Sequence, residues 1–422
     1  MLRSIVSRFH GHTERRLGLG GCFHEVNVRT WALASEPAIA AVEELPPGKY
    51  EGHDGAGMQE LVLRRFLQSH SLGPRDVDGL LVCPSGMASG AGADIFVHER
   101  LNDVLGIRPR FCETVNVGGA TYTIMLSRAA LAISAGLANA VLCIGAGKFP
   151  KVGRGGGANA MARMISHPDF EYPYGSFIPA LYALAATRHM AERGTSRDAL
   201  AAVAVSSREW ALRHPDALMR NAGPLTVEMV LASRPIAWPF NLLDCSVPCE
   251  GGAVFLVAHG DRAREITDQP AYVLGFGEHH DHGNITHTSD FATMGASVSA
   301  RAAFEMADLS PSDVQVAELY DAFTINPILL LEETGLVAAA KGGHFFLDGR
   351  GAPGGDLPVN TYGGLLSFGH TGDASGMSML IEAARQVMGK AADRQVSAEI
   401  ALVHTYGGMM ADHSTVLLGR TP

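Results

Sequence analysis

Val115-Asn116-Val117-Gly118-Gly119-Ala120-Thr121 is a tight, glycine-bearing loop that runs straight into a long stretch of small residues. Residues 122–136, rich in Ala and Leu, read as a buried helix, and residues 140–145 as a core strand. A glycine turn, a small-residue helix and a strand in that order form one unit of an α/β fold.

The alternation continues on both sides. Toward the N-terminus, residues 59–70 read as a helix, 77–83 (VDGLLVC) as a strand and 95–105 as a second helix. The segment from Trp31 to Val42 reads as a strand with a helix start, ended by the Pro46-Pro47-Gly48 turn. Over residues 148–240 the texture changes. Gly153, Gly155, Gly156 and Gly157 open this segment, and helices follow at 178–193 and 197–212. Strand character returns from Asp244-Cys245-Ser246 through residues 253–257. The second half then repeats the first, with strands at 271–275, 316–319, 400–404 and 414–418 and helices at 297–307 and 375–388. The recurrence of glycine loop, small-residue helix and core strand is a coarse internal duplication.

With 422 residues, 47% hydrophobic and 18% charged, the chain can bury a large core in more than one lobe. Its net charge of −10 argues against a nucleic-acid surface, which needs basic excess. The six cysteines (Cys22, Cys83, Cys112, Cys143, Cys245 and Cys249) are dispersed, as small buried thiols are in a reducing cytoplasm. Cys245 and Cys249 lack a second ligand pair for zinc. Arg3, Arg8, Arg15 and Arg16 are not followed by a long apolar stretch, so no secretory signal is expected. The apolar run 129–147 is interrupted at Asn139 and reads as a helix followed by a strand, not as a membrane span.

Three further motifs lie downstream. They are Glu318-Leu319-Tyr320-Asp321-Ala322-Phe323, then Gly364-Leu365-Leu366-Ser367-Phe368-Gly369-His370-Thr371-Gly372-Asp373-Ala374-Ser375-Gly376, then His404-Thr405-Tyr406-Gly407-Gly408 followed by Ser414-Thr415-Val416-Leu417-Leu418. With the loop at 115–121 they form an ordered set that resembles the sterol-carrier-protein type of thiolase. The second motif resembles that family's His-Asp-Cys-Phe, the third its Gly-His-Pro-x-Gly-Ala-(Thr/Ser)-Gly, and the fourth its C-terminal glycine-rich strand and loop. The resemblance runs from about Gly57 to Arg420. It implies two similar α/β lobes in a layered αβαβα arrangement. Residues 1–147 with 241–262 would form the first lobe, 148–240 an inserted loop domain over a coenzyme A tunnel, and 263–422 the second lobe.

The departures from that family carry the functional reading. A thiolase needs a cysteine nucleophile at a helix N-terminus, where backbone N–H groups lower its pKa, and a second cysteine as acid/base. Here Gly119 stands at the first position, Ala322 at the second, and Tyr320 replaces the motif histidine, while His370 is kept. Without a thiolate there is no acyl-enzyme. A thioester pocket with an oxyanion hole and an acid/base group suits aldol or retro-aldol chemistry on a β-hydroxyacyl-CoA. The same departures resemble the cysteine-less thiolase-like aldolases of bacterial steroid side-chain degradation, which use tyrosines. The resemblance makes Tyr320 the leading acid/base and His370 a donor to the thioester oxygen. Tyr362 and Tyr406 are candidates for a second tyrosine, and His404 and His413 are secondary candidates beside the 406–408 loop.

Coenzyme A is expected as part of the substrate, with no covalently bound cofactor. Arg208 and Arg220, with Arg213, lie in the insertion, where thiolases bind it; the glycine run with Lys151, Arg154 and Arg163 reads either as a site for its phosphates or as a linker. Each is equally readable as a solvated surface charge. A homodimer and a small OB-fold acyl-CoA-binding partner subunit are implied by the resemblance; no nucleic-acid or membrane partner is. His279-His280-Asp281-His282, with His287, reads as a glycine-flanked loop and not as a metal site. Two rival functions stay open. One is an acetyl-CoA acetyltransferase-type thiolase with an unusual or partner-supplied nucleophile, the other an inactive thiolase-like scaffold.

Overall fold

In the computed structural model, residue 33 and residues 35–85, 96–148, 157–288 and 290–422 are described. Arg3, Arg8, Arg15, Arg16, Cys22, Trp31, Ile95, Lys151, Gly153, Arg154, Gly155 and Gly156 lie outside them.

The first half contributes β1 (Ala38–Glu44), α1 (Gly55–Ser69), β2 (Gly79–Val82), α2 (Val97–Leu105), β3 (Phe111–Thr114), α3 (Thr121–Ser134) and β4 (Ala140–Lys148). There follow α4 (Gly157–Ile165), α5 (Ile178–Arg193), α6 (Arg197–Ala211), α7 (Val227–Ala232) and a small hairpin of β5 (Pro235–Ala237) and β6 (Phe240–Asn241). Strand β7 (Glu250–Ala258) returns to the main sheet, and α8 (Gly260–Ile266) leads out of it. The second half supplies β8 (Ala271–His280), α9 (Ala296–Ala307), β9 (Val316–Leu319), α10 (Ile325–Glu333), α11 (Gly342–Leu347), α12 (Ser375–Val387), β10 (Ile400–Gly407) and β11 (Asp412–Gly419).

The main sheet runs β3-β2-β4-β7-β1-β8-β11-β10-β9. Its two halves repeat one pairing scheme. In the first, β1 is antiparallel to β7, β7 antiparallel to β4, β4 parallel to β2, and β2 parallel to β3. In the second, β8 is antiparallel to β11, β11 antiparallel to β10, and β10 parallel to β9, with a parallel bridge from Ala317 to Val359 where the counterpart of β3 would stand. The duplication sensed in the sequence is therefore a duplication of topology. The halves join at β1 and β8, where Ala38 pairs with Tyr272 and Ile39 with Ala271.

Alternation along the first-half strands feeds two separate cores, because successive side chains point to opposite faces. Leu80, Val82, Leu142, Ile144, Val254 and Leu256 face α1 and α2, where Met58, Val62, Phe66, Val97 and Leu101 close one layer. Leu81, Val141, Cys143, Phe255 and Val257 face the other way, onto Tyr122, Met125 and Leu126 of α3. Helices α3 and α12 pack together and touch strands of both halves, so they form the central layer. Small residues permit this: the space beside Gly376 of α12 that a Cβ would need is taken by the Gly119 carbonyl. Each fully buried Leu, Ile or Val contributes roughly 1.5–3 kcal/mol.

Four sequence readings change. The described part of the 31–42 segment holds no helix; β1 is strand from Ala38, held by β7 on one side and β8 on the other. Residues 242–244 form a 3₁₀ turn in which Asp244 accepts from the Asn241 N–H at 2.8 Å, and the strand after it starts only at Glu250. His279 and His280 belong to β8 rather than to a loop, because β11 pairs with them through His413 and Asp412. Strand β10 continues to Gly407, so Tyr406 is a strand residue. No helix among the described residues is long and apolar enough to cross a membrane.

Candidate active site

The loop before α3 is tied down by one side chain. Thr121 Oγ1 accepts from the Val117 N–H at 2.8 Å and donates to the Gly118 carbonyl at 2.6 Å. Gly118 takes the positive φ of 57° that this turn needs. Gly119 then faces the second half of the molecule. A Cβ there would lie 2.8 Å from Tyr320 Cζ, and closer still to Tyr320 Cε2 and to the Tyr406 carbonyl oxygen. The phenol ring of Tyr320 fills the place of the missing side chain.

Tyr320 follows β9 directly, and its N–H donates to the His404 carbonyl at 3.0 Å, which extends the parallel ladder by one residue. Its hydroxyl lies 3.1 Å from His370 Nε2 and 3.1 Å from Ser375 Oγ. All three residues are buried. His370 is pinned through its main chain: its N–H donates to the Val247 carbonyl at 2.7 Å, and its carbonyl accepts from the Cys249 N–H at 2.9 Å. The Gly372 N–H donates to His370 Nδ1 at 3.3 Å, which favours the tautomer with the ring proton on Nε2, the atom that faces the Tyr320 oxygen. Burial lowers the His370 pKa to about 4, so the ring is neutral at pH 7. Burial lifts Tyr320 to about 12, against a smaller lowering by the Ser375 hydrogen bond.

The other expected residues divide. Tyr406 is at the site, with its ring centroid 4.6 Å from that of Tyr320. Among the described residues its buried hydroxyl finds no hydrogen-bond partner of standard geometry, and the Tyr182 hydroxyl is beside it. Tyr362 packs edge-on against Phe368 at 5.4 Å, and burial together with Asp321 and Glu318 holds its phenol protonated. His404 and His413 bind each other at 3.2 Å; His404 also meets Thr415 at 2.8 Å, and His413 the Met410 carbonyl at 3.1 Å. Among the described residues no hydrogen bond joins either imidazole ring to Tyr320 or His370. Ala322 has no polar side chain, and its carbonyl accepts from the Ser246 N–H at 2.9 Å. Arg208 is buried and donates to Ser367 Oγ and to the Gly223 carbonyl, beneath the 363–369 turn. Arg220 is exposed, as is Arg213, whose guanidinium lies over Trp210. Arg163 stacks on Tyr172.

Three residues at this site went unassigned in the sequence. Ser375 lay inside a quoted motif without a role. Tyr182 of α5 packs on Phe323 with centroids 4.5 Å apart and reaches Tyr406 at 6.3 Å; no local signal marks it. Asp321 accepts from the Leu365 N–H at 2.7 Å, and burial lifts its carboxyl to about 8.

The cysteines bear on the chemistry. All five in the described part are unpaired, and burial pushes each thiol up: Cys83 and Cys245 to about 12, and Cys112, Cys143 and Cys249 in the same direction. None of these is a thiolate at neutral pH. Among the described residues no three His, Cys, Asp or Glu groups are placed to hold a metal ion.

The family described as thiolase C-terminal domain-like matches residues 277–420. An acetyl-CoA acetyltransferase of Methanothermobacter thermautotrophicus is 37% identical over 319 residues, which are 74% of this chain and 81% of that protein. A steroid side-chain-cleaving aldolase of Thermomonospora curvata is 30% identical over 372 residues, 84% of this chain and 91% of that one. The solved Ltp2–ChsH2(DUF35) aldolase superimposes with a TM-score of 0.79 at 28% identity, covering 92% of this chain and 98% of its own. The chain belongs to the thiolase superfamily, as a protein of the sterol-carrier-protein type close to the steroid side-chain aldolases.

Proposed function

We propose that the protein is an aldolase that breaks or forms the Cα–Cβ bond of a β-hydroxyacyl-CoA thioester, with a steroid-type side chain as the acyl class to test first. The observation that carries this reading is the Tyr320 ring in the space beside Gly119, with its hydroxyl between His370 and Ser375. A nucleophile has been exchanged for an acid/base group in the same place.

In the cleaving direction, the phenolate form of Tyr320 takes the proton of the substrate β-hydroxyl. The Cα–Cβ bond breaks, its electron pair passes into the thioester as an enolate, and the β-carbon leaves as a ketone or aldehyde. Tyr320 then returns its proton to Cα, so the phenolate is regenerated and no proton is gained or lost. His370 Nε2–H points at the Tyr320 oxygen, so we assign it to hold Tyr320 rather than the thioester oxygen. The Tyr406 hydroxyl, protonated because burial raises its pKa, is the donor we assign to the enolate oxygen.

The acetyltransferase relative favours acyl transfer as a second reading. The raised thiols and the absence of a side chain at residue 119 weigh against it. The similar aldolase carries a DUF35 component, which supports the reading of an OB-fold partner subunit. Strand β3 forms an edge of the sheet, which supports a homodimer built on it. We place the protein in the cytoplasm on its dispersed cysteines. The test is incubation with 3-hydroxyacyl-CoA esters, with and without a candidate partner, scored for ketone or aldehyde. Carbonyl release that Tyr320→Phe abolishes supports the aldolase; acyl transfer to free coenzyme A without carbonyl release supports the rival.

A further inference from the structure

The Tyr320 oxygen sits between two groups of different capability. In the tautomer that the Gly372 N–H at Nδ1 favours, neutral His370 carries its proton on Nε2 and donates to that oxygen. The phenol proton of Tyr320 is therefore directed to the other neighbour, Ser375 Oγ, 3.1 Å away. A serine hydroxyl rotates and both accepts and donates. When Tyr320 gives up its proton, the Ser375 hydroxyl can turn and donate to the phenolate, which then has two donors, His370 Nε2–H and Ser375 O–H. No other side chain at this oxygen among the described residues can reverse its role in this way. Ser375 is fixed for it: it is 2% exposed and opens α12, a helix of 13 residues.

We propose that Ser375 is the positioning residue that lets Tyr320 cycle between acid and base, accepting from the phenol and donating to the phenolate. This rests on Tyr320 being the acid/base of the aldolase, and it adds a residue to that site. Ser375 acts on Tyr320 and need not touch substrate.

The experiment reads Tyr320 directly. The full-length protein is labelled with a fluorotyrosine, whose more acidic phenol brings the ionisation into the working pH range, and titrated by fluorine NMR. Tyr320→Phe identifies the resonance. Ser375→Ala is expected to raise the ionisation of residue 320 by about one pH unit, the effect of one hydrogen bond lost from a charged form. Ser375→Thr, which keeps the hydroxyl, is expected to restore it. Carbonyl release should fall about tenfold in Ser375→Ala and recover in Ser375→Thr. An unchanged ionisation in Ser375→Ala, or no recovery in Ser375→Thr, overturns the proposal. Wild-type protein that releases no carbonyl product while the NMR shift is present refutes the aldolase reading and leaves the Ser375–Tyr320 coupling standing, so the two failures are told apart.

Discussion

Gly119 and Tyr320 share one volume: the phenol ring occupies the space that any side chain at residue 119 would require. The bare backbone at residue 119 and the tyrosine at residue 320 are thus a single packing solution. Gly119→Ala should force Tyr320 aside, cost about 1–3 kcal/mol by overpacking and lower carbonyl release at least about tenfold. In the double variant Gly119→Ala/Tyr320→Ala the stability loss should be smaller than the sum of the two single losses, because the ring that clashes is gone. Thermal unfolding of the three variants checks this. Additive losses would mean that the two residues do not compete for space.

The pH profile follows from burial. His370, near 4, is neutral across pH 5–8 and should contribute no limb to the rate there. Tyr320, lifted to about 12, is almost wholly protonated at neutral pH, so its base form grows tenfold with each pH unit. The rate constant kcat/KM should rise with a slope of about one from pH 7 to 10. A plateau beginning near pH 6.5 would point to histidine as the base.

Asp321 carries a stability signature of opposite sense to an ordinary carboxylate. Its folded pKa, about 8, lies above the unfolded value, so the native state holds a proton that the unfolded chain loses. That contribution is complete at low pH and fades as pH rises through 8. Asp321→Asn keeps an acceptor for the Leu365 N–H and lacks the titration. Relative to wild type, the variant should gain about 1 kcal/mol of stability per pH unit between pH 5 and 8. Denaturant unfolding at several pH values measures it.

The two arginines singled out from the sequence should separate by readout. Arg208→Ala strands the Gly223 carbonyl and Ser367 under a buried turn and should cost about 1–3 kcal/mol of stability. Arg220 is exposed, so Arg220→Ala should leave stability within about 0.5 kcal/mol. If Arg220 meets coenzyme A phosphates, KM for the thioester should rise in that variant alone.

The parts of this molecule written in local periodicity were readable. Helix α5 at Ile178–Arg193 and strand β9 at Val316–Leu319 have the bounds their sequences indicate, and α12 differs from its reading by one residue. The edge strand β3 was not readable, because three of its four residues are only partly buried, Glu113 is exposed, and they lack an apolar alternation. Nor were the short helices α7 and α11, six residues each, long enough to display a period. His279 and His280 read as loop because their strand character comes from pairing with β11, a partner more than a hundred residues away. At the candidate site, Gly119, Ala322, Tyr320 and His370 stood out by type and order. That Tyr320 fills the gap at Gly119, that His370 points at Tyr320, and that Ser375 and Tyr182 complete the surroundings are tertiary facts.

The central claim is that Tyr320 performs acid/base chemistry on a thioester. The most direct measurement compares carbonyl release from a 3-hydroxyacyl-CoA by wild type and Tyr320→Phe, a change that deletes one oxygen and keeps the ring that packs at Gly119. The expected result is release by wild type and a loss of about 10²–10⁴-fold in the variant, with the same melting temperature within a few degrees. Equal release by both proteins, or acyl transfer with no carbonyl product from either, would contradict it.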